Sequence, residues 1–92
     1  MKLEIVTPEQ TLFTGDVTSV AVPGVEGAFQ MLDNHAPIVS LLVEGTVRIK
    51  GNMTLPEKVA PLFTKAPDGS TELHIKGGVL EMSDNHAIIL AD

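Results

Sequence analysis

The sequence predicts an all-β domain, a sandwich or a barrel, on three observations. Apolar and polar residues alternate with period two along most of the chain. Turn signals built from Gly, Pro, Asn and Asp recur roughly every 8–12 residues. Apolar residues nowhere repeat at helical spacing for about ten residues or more. The chain has 92 residues, 43% hydrophobic and 20% charged, the balance of a globular protein. This length makes one domain, 1–92, and folding removes only roughly 60–65% of its unfolded surface from water, so the core is single and modest.

Lys2-Leu3-Glu4-Ile5 alternates charge with bulk and reads as a half-buried strand that Pro8 ends. The run Asp16–Val22 is β-branched and alternating, with Val20 and Val22 on one face, and Pro23-Gly24 closes it. Ala28–Leu32 is a short strand ahead of the polar Asp33-Asn34-His35. Ile38–Leu42 and Thr46–Lys50 read as a hairpin turning at Glu44-Gly45, with Val47 and Ile49 inward. Segment 51–70 carries Pro56, Pro61, Pro67 and Asp68-Gly69, so it is expected to be a proline-containing excursion with at most one helical turn or short strand. Glu72–Lys76 alternates again. Val79–Met82 and Ala87–Leu90 flank Ser83-Asp84-Asn85-His86, which has the residue types of a type I turn. The count is roughly seven to ten strands, with no crossover helices to cover a parallel sheet.

Composition excludes much. There is no cysteine, so disulfides, thiolate metal sites and cysteine nucleophiles are absent. Twelve acids against six bases give a net charge of −6, which makes nucleic acid and anionic lipid poor partners. No apolar run reaches signal-peptide or membrane-span length, so the chain is expected to be soluble and untargeted. Ser19, Ser40, Ser70 and Ser83 lack a nucleophile-elbow context, Gly77-Gly78 is too short for a phosphate cradle, and no carboxylate pair is assignable. One internal echo stands out: Met31–Ile38 and Met82–Ile89 share Met-x-Asp-Asn-His-Ala-x-Ile. Two Asp-x-His pairs suggest a metal site in a free-standing ligand- or metal-binding module. Asp-Asn is equally good turn chemistry, and that reading is preferred; no metal and no cofactor are expected. Phe29 and Met31, beside a polar loop, form a candidate contact patch.

Taken in order, Ile5-Val6-Thr7-Pro8-Glu9, Phe13-Thr14-Gly15, Val22-Pro23-Gly24-Val25-Glu26-Gly27, Leu32-Asp33-Asn34-His35-Ala36-Pro37, Glu44–Ile49, Gly77–Met82 and Leu90-Ala91-Asp92 resemble the epsilon subunit of bacterial F-type ATP synthase. The resemblance covers essentially 1–50 and 71–92. It implies a ten-stranded β-sandwich and a non-catalytic role in the central stalk. Such a subunit grips the gamma subunit, rests on the membrane rotor ring and couples rotor rotation, driven by proton flow, to the catalytic head. It implies a peripheral place on the cytoplasmic face of the bacterial cell membrane. By the same resemblance Glu26, Gly27, Ala28, Phe29, Gln30 and Met31, with Asn34 and His35, meet the rotor ring, and Thr7 and Ser40 lie on the gamma-facing side.

The sequence departs from that family in three places. Where the family often has Gly-Glu-Leu-Gly-Ile, this chain has Gly27-Ala28-Phe29-Gln30-Met31, so an acidic ring contact is missing and Phe29 is left to supply an apolar one. Segment 51–70 is longer than the family's hairpin and is expected to be a solvated insertion, with Leu62 and Phe63 as its candidate core residues. The chain reaches Asp92 without the helical hairpin through which family members inhibit hydrolysis or bind nucleotide. Coupling without inhibition, and no bound nucleotide, are the expectations.

Overall fold

The computed structural model describes residues 1–92 as ten strands and one short 3-10 turn, Ala60–Leu62, without an α-helix. The strands are β1 (Lys2–Val6), β2 (Thr11–Asp16), β3 (Ser19–Gly24), β4 (Gly27–Leu32), β5 (Ile38–Leu42), β6 (Gly45–Lys50), β7 (Phe63–Lys65), β8 (Thr71–Ile75), β9 (Gly78–Ser83) and β10 (His86–Ala91). They form one curled sheet in the order β2-β1-β10-β9-β5-β3-β6-β8-β7, with β4 added to β3. β5 and β3 share a single rung, Gly24 to Leu42, and there the sheet folds over. Its halves, β2-β1-β10-β9-β5 and β4-β3-β6-β8-β7, face each other across one core.

The alternation places that core. Leu3 and Ile5 on β1, Val20 and Val22 on β3, Val47 and Ile49 on β6, Leu80 and Met82 on β9, and Ile89 on β10 are all buried. Ordinary strand periodicity, with one face apolar, suffices to assemble it.

Four elements differ from the sequence expectation. The first is β2, where Val6 opposes Thr11 and Ile5 opposes Phe13, so Leu12 is an extra, bulged residue. Leu12 and Phe13 are therefore both buried, and the local period of two that would reveal a strand is lost. The second is the expected β5–β6 hairpin. β5 instead pairs with β9 and β6 with β3 and β8, because the chain turns the sandwich corner at Val43-Glu44, where the Val43 amide donates to Pro23 O at 2.9 Å.

The third is the turn between β9 and β10. Asp84 and Asn85 have φ of 51° and 58°, left-handed at both central positions, which is type I′ rather than type I. The twist of a two-residue hairpin selects that mirror form. The fourth is segment 51–70. Val59 is 2% exposed within the core, while Met53, Leu55 and Phe63 pack against it and β7 pairs with β8. Leu62 is exposed. The segment thus sends Val59 into the core, while most of its other residues lie in solvent.

The first and last strands pair in parallel, Lys2 with His86 through Val6 with Leu90. Nearly the whole chain serves as the long connection such a pair requires. Gly78 permits the return from β8 into β9: its φ is 153°, and a Cβ there would lie 2.2 Å from Leu90 O.

Candidate functional site

Residues paired directly across a sheet share a face, so the register defines both outer surfaces. On the half ending in β5, one transverse outer row reads Leu41, Val79, Leu90, Val6. The next reads Val39, Glu81, Ile88, Glu4. Val39 is 70%, Leu41 62% and Leu90 52% exposed. A groove of about 590 Å³ runs beside the first row, lined among others by Thr7, Pro8, Val25, Leu41 and Leu90. Val25 is tied into it because its amide donates to Leu41 O at 2.9 Å. The opposite outer face is polar: Ala21, Gln30, Arg48 and Glu72 align, with Arg48 Nε 3.1 Å from a Glu72 carboxylate oxygen. The two outer faces thus differ: one carries an apolar stripe bordered by two acids, the other hydrophilic chemistry.

The residues assigned by resemblance do not gather at one point. Glu26, Gly27 and Ala28 are exposed at the tip of the β3–β4 hairpin. Phe29 is half-buried against the core, its ring lying over Gly24. Gln30 projects onto the polar face. Met31 is fully buried opposite Val20, so its side chain belongs to the core and offers no contact; the alternation that exposes Gln30 turns it inward. Asn34 and His35 lie beyond the far end of β4, roughly 16 Å along the strand from Gly27.

Asn34 is left-handed, with φ 62°, and its amide donates to Asn85 Oδ1 at 2.7 Å. His35 Nδ1 is 2.7 Å from Ala36 O, which fixes a proton on Nδ1. Thr7 lines the apolar groove. Ser40 faces the core side of β5, in register with buried Leu80, and lines a separate cleft with Phe29 and Ala28.

The internal echo has a structural use. Its two turns meet: Asn85 Oδ1 accepts from Asn34, Asn85 O accepts from the Lys2 amide at 3.0 Å, and Asp33 takes the ammonium group of Met1. No three His, Cys, Asp or Glu side chains converge to hold a metal. His74 is exposed and pairs with Glu44 at 3.2 Å, while His86 Nε2 lies 3.6 Å from Glu4.

What sequence reasoning missed is the apolar outer row. Its signal was present in Leu41-Leu42 and Ile88-Ile89-Leu90, strand segments apolar on both phases. In an antiparallel sheet such runs indicate that both faces are covered.

The profile of the ATP synthase delta/epsilon chain β-sandwich domain matches residues 1–62. The chain belongs to this family. Over 91 residues it is 40% identical to the ATP synthase epsilon chain of Chlorobium limicola, spanning 99% of this chain and 88% of that one. It is likewise 40% identical to the epsilon chain of Nitratiruptor sp., of which it spans 60%. Among solved structures, a chain of the central stalk and c-ring of Tetrahymena thermophila mitochondrial ATP synthase superposes with a TM-score of 0.72 at 16% identity, over 99% of this chain and 62% of that chain. A chain from the Euglena gracilis mitochondrial enzyme gives the same score at 17% identity, with 97% and 48% covered. At those identities the likeness is one of fold. The delta/epsilon family assignment rests on the sequence matches, and the sandwich agrees with it. No helix in this family member is long and apolar enough to cross a membrane.

Proposed function

We propose that this chain is a non-catalytic central-stalk subunit of a proton-translocating F-type ATP synthase. It sits peripherally on the cytoplasmic face of a bacterial membrane and couples rotor-ring rotation to the catalytic head. The observation that carries this reading is the four-strand apolar row Val6, Leu90, Val79, Leu41 with its groove. The gamma subunit docks there, with Thr7 at the groove's wall. The bordering acids Glu4 and Glu81 favour a partner surface whose apolar ridge is flanked by basic side chains. The rotor ring meets the adjacent hairpin tip, Glu26 to Ala28. Ser40, Asn34 and His35 act from behind these surfaces.

Reconstitution tests the reading. An ATP synthase complex depleted of this chain should lose proton-driven ATP synthesis and regain it with the wild-type chain. The Leu41→Asp/Leu90→Asp double variant, folded by circular dichroism, should restore less than about a tenth, because burying one charge costs more than an apolar contact supplies. Full restoration by that variant would overturn the proposed docking face.

A further inference from the structure

We propose that the polar outer face carries a binding site for inorganic hydrogen phosphate, in a pocket between β3, β6 and the turn at residues 66–70. The pocket, about 200 Å³, is lined by Ser19, Gln30, Arg48, Lys50, Asp68 and Ser70. A water occupies about 30 Å³ of liquid, so a tetrahedral oxyanion enters with room for its own waters.

Three features point to an anion. Ser19 is 5% exposed, yet it lines the pocket and its hydroxyl has no protein hydrogen-bond partner. That hydroxyl keeps access to solvent, His86 Nε2 being the one fully enclosed side-chain polar atom without a partner, so it is free to donate to a ligand in the pocket. Lys50, opposite Ser19 in register, has no carboxylate within salt-bridge distance. Arg48 uses Nε for Glu72, which leaves its terminal amino groups to donate. The pocket therefore offers a hydroxyl, an ammonium and a guanidinium.

Asp68, in the same lining, decides which anion. Asp68 Oδ1 accepts from the Ser70 hydroxyl at 2.6 Å and from the Ser70 amide at 2.9 Å, and no protein group donates to Oδ2. Those bonds, with the positive charge of Lys50 and Arg48, hold this carboxyl below its ordinary range, so near neutral pH it only accepts. Sulfate has no proton to offer and would set lone pairs against Oδ2. Hydrogen phosphate keeps a P–O–H that donates to Oδ2 while its other oxygens accept from Lys50, Arg48 and Ser19. The site thus selects phosphate over sulfate by a single proton.

The test is an amide-shift NMR titration of the 92-residue chain at low ionic strength, where exposed charges are least screened. Inorganic phosphate should give saturable shifts centred on Ser19, Lys50 and Ser70, and sulfate only linear ones. Lys50→Gln and Ser19→Ala, checked for an unchanged urea midpoint, should each weaken phosphate by about tenfold, the factor one charge-assisted hydrogen bond implies. Asp68→Asn should admit sulfate, because the amide donates. Equal responses to phosphate and sulfate, saturable binding untouched by Lys50→Gln, or tighter binding of adenosine monophosphate than of phosphate would overturn the assignment.

Discussion

Met31 and Gln30 are adjacent on one strand and have opposite fates, Met31 buried in the core and Gln30 exposed on the polar face. Met31→Ala should cost about 2–5 kcal/mol in urea denaturation, as a fully buried truncation does, with no separate effect on assembly. A larger loss of binding than of stability would return Met31 to the interface. Asn85 holds a left-handed φ and accepts the Asn34 amide, so Asn85→Ala removes both a turn preference and a bond; about 1–3 kcal/mol of destabilisation is expected by thermal melting. Asp68 gives the pH-dependent case. Its folded-state pKa is depressed by the Ser70 bonds, so the stability they contribute is complete above the unfolded carboxyl's value. That stability fades as the pH falls through the lower, folded value. The Asp68→Asn variant should show less acid sensitivity below about pH 4 in urea midpoints measured across pH.

Among the elements, alternation made β1, β6 and β8 legible, since each buries one phase and hydrates the other, whereas β3 shows Val20 and Val22 on its buried phase and no exposed residue on the other. β2 was hidden by the bulge at Leu12, and the β5–β6 hairpin was inferred from a Glu-Gly pair that instead turns a corner. Local sequence cannot distinguish those outcomes, because a corner and a hairpin use the same turn residues and differ only in which distant strand arrives. In segment 51–70 the core residue was misplaced for a related reason: its prolines report irregular backbone and say nothing about Val59 reaching the core. Replacing 51–70 by a short turn should therefore destabilise the domain severely. Val59→Ala alone should cost about 1–3 kcal/mol by urea titration. A deletion variant that melts like the parent would show the segment to be dispensable.

For the molecule as a whole, the division that matters is between two outer faces, one apolar and bordered by acids, the other polar. The family resemblance was readable from the order of short motifs; the proposed docking face was not, because it is a row of single residues from four strands brought together by the parallel closure of β1 on β10. That face is the centre of the proposed coupling role, and the absence of cysteine makes it directly measurable. Single cysteines are placed at Leu41 and Leu90 on the apolar row, and at Thr46 on the polar half, and their maleimide reactivity is compared in the free chain and in the assembled ATP synthase. The account predicts that Leu41→Cys and Leu90→Cys become protected on assembly while Thr46→Cys stays reactive. Unchanged reactivity at Leu41→Cys and Leu90→Cys in the assembled complex would contradict it.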